Sequence, residues 1–217
     1  MLRNTIATLT CPPRNRVTLL FGGLLGVELL WQIYKRTVNV KNEKSKPIDE
    51  VLFFSEESSG CRLHAHSQIP CDRSSCSIRN LRKLLGCIES AEETLCICIY
   101  MVTCDDIAKA ILRVFSRGVN VKIIADYGMS DNVACDKKIR DFRSKGIRVR
   151  IKKSAYLMHH KFAIIDGKIL LTGSTNWTKQ ALYGNWDNVI ITNHEAIVAP
   201  FVKEFDRMWL QLTKDED

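Results

Sequence analysis

Histidine is scarce in this 217-residue chain, with five in all. Only His159 stands two residues before a lysine at the head of an apolar run; His64, His66 and His194 lack that spacing. An acidic excess is also missing. Lys and Arg number 32 against 24 Asp and Glu, giving a formal net charge of +8 and a pI near 9.1. That balance calls for an anionic partner, either nucleic acid or an anionic membrane surface. The cysteine count is not even: nine cysteines cannot all pair within the chain. Several sit in core-like runs such as residues 95–99, Leu-Cys-Ile-Cys-Ile. Buried reduced thiols of a cytosol-facing domain suit this better than the disulfide framework of a secreted one.

One long apolar stretch exists, residues 17–34, and no small-residue cleavage site follows it. At ~1.5 Å per residue a helix of that length reaches about 27 Å, just enough to cross the hydrocarbon. Arg14 and Arg16 precede it, and Lys35, Arg36, Lys41, Lys44 and Lys46 follow. Trp31 and Tyr34 stand where an interfacial aromatic belt belongs. Glu28 departs from the pattern, because a carboxylate near a helix centre costs about 3 kcal/mol. The basic flank argues against a signal peptide. The expected organisation is an N-terminal segment (1–16), a transmembrane anchor (17–34), a polar linker (35–50) and one domain (51–217) facing the cytosol. At this length the domain is large enough for a sizeable core.

Within 51–217, apolar runs and 3.6-residue periodicity alternate. Strands are expected at 51–54, 95–102, 119–125, 147–151, 162–165, 168–171 and 188–192. Helices are expected at 77–91, 105–116, 131–144 and 196–212, the last interrupted or restarted near Pro200. Alternating strands and helices predict an α/β domain with a mixed central sheet flanked by helices.

The richest stretch runs from His159 to Asn176. Residues 162–165 read as a buried strand, Asp166-Gly167 as a turn and 168–171 as a second strand. His159 and Lys161 share a face of an extended segment, with His160 on the other. The hairpin gathers His159, Lys161, Ser174 and Asn176 at one end of a sheet. An imidazole can attack phosphorus or carry a proton, and an ammonium, an amide and a hydroxyl can hold oxygens on which charge builds. These groups suit a phosphodiester. The string H-x-K-x4-D-x6-G-S-x-N resembles the signature of the phospholipase D superfamily, with His159, Lys161, Asp166, Gly173, Ser174 and Asn176 on its positions.

That resemblance implies a mechanism. His159 forms a phosphohistidine, and a second histidine protonates the leaving oxygen. Water then releases the product without any metal for the chemistry. The set carried over is His159, Lys161, Asp166, Ser174, Asn176 and Asp187. Asp187 stands where the family has an acid, usually Glu, that orients the imidazole. With one motif copy, the resemblance implies a homodimer with its site on the two-fold axis.

A second cluster lies at residues 61–76, where Cys61, Cys71 and Cys76 accompany His64 and His66. That density suits a structural zinc held by four protein ligands. The expected set is Cys61, His66, Cys71 and Cys76, although spacing alone does not separate His64 from His66. Free thiols or disulfides are the plain alternative. With this insertion and the N-terminal anchor, the chain resembles the mitochondrial phospholipase D, or Zucchini, group. That resemblance implies the mitochondrial outer membrane and, as substrate, single-stranded RNA cleaved in piRNA biogenesis. Cardiolipin hydrolysis to phosphatidate is the alternative, and an inactive membrane-tethered scaffold is a third reading. Nine basic residues between Lys137 and Lys153 lead towards His159. Arg150, Lys152 and Lys153 are expected to line a groove for a polyanion. Tyr156 and Trp177 flank the motif and could stack on bases or simply pack.

Overall fold

The computed structural model describes Trp31 and residues 46–64, 71, 73, 75–129 and 132–214. The expected anchor (except Trp31), most of the linker and His66 lie outside the described residues. Among the described residues no helix is long and apolar enough to cross a membrane. The chain divides into two units, Met1–Lys46 and Pro47–Asp217, and the second holds the sheet and everything built on it.

Seven strands form one mixed sheet: β1 (Asp49–Phe54), β2 (Thr94–Ile99), β3 (Asn120–Asp126), β4 (Arg148–Lys152), β5 (Lys161–Ile165), β6 (Ile169–Gly173) and β7 (Asp187–Thr192). Their order is β1-β7-β6-β5-β2-β3-β4. β2, β3 and β4 run parallel, joined by helices α2 (Asp105–Ser116) and α3 (Val133–Ser144), as parallel neighbours require. β5, β6, β7 and β1 pair antiparallel. Helix α1 (Ser77–Glu89) precedes β2, a short α4 (Lys179–Tyr183) follows β6, and α5 (Glu195–Lys214) closes the domain.

Local chemistry sets these elements. α2 buries Ile107, Ala108, Ala110, Ile111 and Val114 along one stripe and opens with Asp105 and Asp106, which suit the positive end of the helix dipole. α3 is capped by Asn132, whose side chain accepts the Cys135 amide. Alternation along the strands feeds two cores. Leu95, Ile97 and Ile99 of β2 join Val121, Ala163, Leu171 and Val189 on the face that also buries α1 and α2. Cys98, Ile124, Phe162, Ile164 and Leu170 meet Val198, Phe205 and Trp209 of α5 on the other. Burial on both faces is why β2 and β5 read as unbroken apolar runs.

α5 corrects an expectation: it continues through Pro200. Proline removes one amide donor there, but Val198 before it and Phe205, Met208 and Trp209 after it are buried against the sheet. That packing holds both halves in line. α5 lies over β4, β5 and β6. Phe53 (64 % exposed) and Val51 of β1, with Ile190 of β7, project from the same face beyond it.

Candidate active site at the carboxyl edge of the sheet

The parallel strands β2, β3 and β4 end on one edge, at Ile99, Asp126 and Lys152. β5 is antiparallel to β2, with Lys161 opposite Ile99, so it begins at that edge. β6 returns to it at Gly173, and β7 starts there at Asp187. Topology alone therefore collects His159, Lys161, Ser174, Asn176 and Asp187. In open α/β sheets, ligands commonly bind outside the carboxyl ends of the strands.

His159 is exposed, its ring tilted against Tyr100 with centroids 4.6 Å apart. Lys161 is 8 % exposed. Its Nζ donates to the His159 carbonyl at 2.8 Å and lies 4.9 Å from the Tyr100 ring centroid. Burial holds this ammonium below the usual lysine range, while the Asp187 carboxylate pulls the other way. His160 turns to the opposite face, edge-on to Phe162 at 5.4 Å. Burial lowers its pKa, against the pull of Glu204 on α5. The alternation read from the sequence holds: His159 and Lys161 face the site and His160 faces α5.

The return of β6 to the edge depends on Gly173. A Cβ there would stand 2.0 Å from the Asn188 carbonyl oxygen, so no side chain fits. This close approach sets Ser174 beside β7. Its Oγ donates to Asp187 Oδ1 at 2.6 Å and accepts the Asn188 amide at 3.1 Å. Thr175 Oγ1 donates to the Asn188 carbonyl at 3.0 Å. Trp177 ties the loop to the end of β2: its amide donates to Met101 and its carbonyl accepts from Thr103 and Cys104. Between these anchors, Asn176 has a buried Oδ1 with no hydrogen-bond partner among the described residues. A rigid loop thus holds an amide whose polar capacity is unspent, as a ligand-binding group requires. Imidazole, ammonium, amide and hydroxyl together can attack a phosphodiester and hold its oxygens.

Three expected site residues stand elsewhere or bond differently. Asp166 closes the far end of the β5–β6 hairpin, about 16 Å from Lys161 at the strand rise. Its carboxylate accepts the Glu92, Glu93 and Thr94 amides at 2.8–3.0 Å, so it fixes a loop and is not part of the edge cluster. Asp187 is in the cluster, but its described hydrogen bond comes from Ser174 and not from the His159 ring. Arg150 faces α5: its guanidinium stacks 4.0 Å from the Trp209 ring centroid and donates to the Trp209 carbonyl.

Much of the expected basic belt is likewise engaged. Lys137 pairs with Asp141, Arg140 with Asp136 and Lys138 with Asp105. Arg143 bonds the Val149 carbonyl and Arg148 the Asn120 side chain. Lys152 and exposed Lys153 do reach the edge, with Lys153 Nζ 5.7 Å from the Tyr127 ring centroid. Tyr127, Tyr156 and Leu157 are exposed beside them, and Trp177 is buried as a core residue. Tyr100 and Asp126 are edge residues that sequence reasoning missed; each simply ends an apolar strand.

Cys61, Cys71 and Cys76 bring their sulfurs within 4.8 Å of one another, with Cys61 and Cys71 3.9 Å apart. Thiolates at ~2.3 Å from a tetrahedral zinc stand about 3.8 Å apart, so the three residues fit that ion. Cys76 is the N-cap of α1. Burial opposes its ionisation, but the Arg79 and Ile78 amides and the neighbouring thiols leave its pKa below the usual thiol value. Tyr183 of α4 packs on the cluster.

A His-x-Lys hairpin, a Gly-Ser-x-Asn return and a mixed sheet that presents them on one edge define a phosphodiesterase of phospholipase D type. Residues 84–209 match the family described as cardiolipin synthase, PLD-like domain. A Chlamydomonas reinhardtii protein named mitochondrial cardiolipin hydrolase is 40% identical over 164 residues, 74% of this chain and 72% of that protein. A Xenopus tropicalis protein of the same name is 35% identical over 192 residues, 86% of this chain and 87% of its own length. Among solved structures, the phospholipase D family member Nuc from Salmonella typhimurium matches with a TM-score of 0.61 at 26% identity, over 76% of this chain and 96% of that one. NucT from Helicobacter pylori gives 0.60 at 27% identity over the same shares. The chain belongs to the phospholipase D superfamily and, within it, to the mitochondrial phospholipase D group.

Proposed function

We propose that this phosphodiesterase hydrolyses cardiolipin at a mitochondrial membrane by way of a phosphohistidine at His159. The observation that carries the chemistry is the edge cluster: an exposed imidazole beside a buried ammonium and an amide with unspent polar capacity. His159 attacks phosphorus, a P–N bond forms, and the P–O bond to the leaving group breaks. The leaving oxygen takes its proton from His159 of a second copy. Water then attacks phosphorus, breaks the P–N bond and gives its proton to that second histidine. Lys161 and Asn176 hold the non-bridging oxygens, and Ser174 and Asp187 fix the loop beside them. The exposed side chains of Val51, Phe53 and Ile190 on one sheet face supply an apolar surface for the isologous contact that a homodimer needs.

Two observations support the lipid. The relatives are named cardiolipin hydrolases, and exposed Tyr127, Tyr156 and Leu157 offer an apolar rim for acyl chains. A second reading, endoribonuclease cleavage of single-stranded RNA in piRNA biogenesis, draws on the net charge of +8 and on Lys152 and Lys153 beside stackable tyrosines. The engaged belt weakens that reading relative to the sequence expectation. The word mitochondrial in the relatives' names supports an address at the mitochondrion. The outer membrane, a single-pass anchor at 17–34 and a cytosol-facing domain are part of this proposal. So is a structural zinc on Cys61, Cys71 and Cys76 with His66 as fourth ligand, bracing the loop beneath α4.

The test places the full-length protein in cardiolipin vesicles and, separately, with end-labelled single-stranded RNA, without added divalent metal. Phosphatidate release that vanishes in His159→Ala supports the lipid reading. RNA cleavage without lipid turnover would replace it with the second reading. Neither activity in a folded dimer would favour the scaffold.

A further inference from the structure

Asp126 closes β3 and is 5 % exposed, yet no ion pair involves it among the described residues. A buried carboxylate without a cation is costly unless strong donors meet it. Two backbone amides do. Oδ1 accepts the Gly128 N–H at 2.7 Å, and Oδ2 accepts the Met158 N–H at 2.6 Å. The first bond ties down the turn Tyr127–Met129, and the second seizes the chain one residue before His159. Met158 is itself buried, its sulfur 3.3 Å from Cys98 Sγ.

The other side of His159 is pinned as well. Its carbonyl accepts Lys161 Nζ, and the His160 carbonyl accepts the Tyr100 amide at 2.8 Å. The exposed imidazole therefore rides on a short extended segment held at both ends, Asp126 holding one and β2 with Lys161 the other. There is little slack at the Asp126 end. A Cβ on Gly128 would stand 2.9 Å from Asp126 Oδ1.

We propose that Asp126 is a positioning residue that aims His159 at the substrate phosphorus by fixing the Met158 peptide. The inference rests on His159 as the nucleophile. Displacing a reacting group by about 1 Å can cost on the order of 100-fold in rate, and freeing the Met158 amide removes one of the two anchors that prevent it.

The test uses Asp126→Asn in the full-length protein. Asparagine has the same size, but only one of its two terminal atoms accepts, so one backbone amide faces a donor. Covalent adduct formation is followed in a single turnover with saturating bis(4-nitrophenyl) phosphate, well below the melting temperature, and amide exchange at Met158 is read in parallel. The expected result is adduct formation about 10- to 100-fold slower, with the Met158 amide losing protection. A merely structural carboxylate would lower the melting temperature and leave the rate per folded molecule unchanged; that outcome overturns the proposal. Should Asp126→Asn fail to fold, Gly128→Ala decides, because its methyl group displaces Oδ1 and should slow the same step. Adduct formation in His159→Ala, run alongside, would overturn the reading of the nucleophile itself. A dead His159→Ala beside a wild-type-like Asp126→Asn would overturn only this inference.

Discussion

Replacing Asp166 separates structure from chemistry in this motif. Its carboxylate accepts three consecutive amides at the start of β2: Glu92 at 3.0 Å, Glu93 at 2.8 Å and Thr94 at 2.8 Å. A hydrogen bond to a charged acceptor contributes about 1.5–3 kcal/mol. Water replaces much of this at exposed Glu92 and Glu93, while the Thr94 amide is half-buried. Asp166→Gly should therefore cost about 2–4 kcal/mol, far less than three full bonds. The residue also sits at φ +52°, a conformation that alanine pays about 1–2 kcal/mol to adopt, so Asp166→Ala should be the less stable of the two. Asparagine tolerates that φ and keeps one acceptor, so Asp166→Asn should lose about 1–2 kcal/mol. Denaturant titration reads all three. Burial raises the Asp166 pKa, but the Thr94, Glu93 and Glu92 amides outweigh it and leave the folded value below the ordinary 3.8. Its contribution is thus full above the unfolded pKa and fades as pH falls through the folded one, so wild type and Asp166→Asn should converge in acid. Because Asp166 stands at the far end of the hairpin, kcat measured well below melting should stay within about twofold of wild type, too small a change to mark a lost reacting group. Loss of turnover in folded Asp166→Asn, or equal stability of the glycine and alanine variants, would refute this reasoning.

Gly173→Ala should destabilise the domain by about 3 kcal/mol or more, since its methyl group meets the Asn188 carbonyl at 2.0 Å and only separation of β6 from β7 relieves it; a wild-type melting temperature would contradict the close approach. Arg150→Ala should lose about 1–2 kcal/mol of cation–π packing on Trp209 and leave KM unchanged, whereas Lys153→Ala should raise KM several-fold with little change in stability; the reverse pattern would put Arg150 back in the binding groove. Cys71→Ser should abolish tight zinc binding and lower the melting temperature, and metal analysis finding no zinc in well-folded wild-type protein would remove the zinc site.

The sequence was most informative where periodicity was long or spacing strict. β2 and β5 are buried on both faces and read as apolar runs, and α2 shows its stripe within twelve residues. The hairpin from His159 to Ser174 was legible because a period of two fixes which residues share a face. Asp166 was misleading because a motif records that a residue type recurs, not which end of a strand it occupies. Arg150 was misleading because a charge run looks the same whether it lines a groove or packs on an aromatic ring. α4 and the turn at Tyr127–Met129 span five and three residues, too few to show a period. Asp126 left no signal, since its partners are backbone amides, one in the next turn at Gly128 and one in a distant loop at Met158.

The central claim is that His159 carries the phosphoryl group. The most direct measurement quenches the wild-type protein during turnover of a phosphodiester and maps the adduct by mass spectrometry under alkaline conditions, which preserve phosphohistidine. The account predicts one phosphoryl adduct, on His159, formed without added metal and absent from His159→Asn. An adduct on His160, or full turnover by His159→Asn, would contradict it.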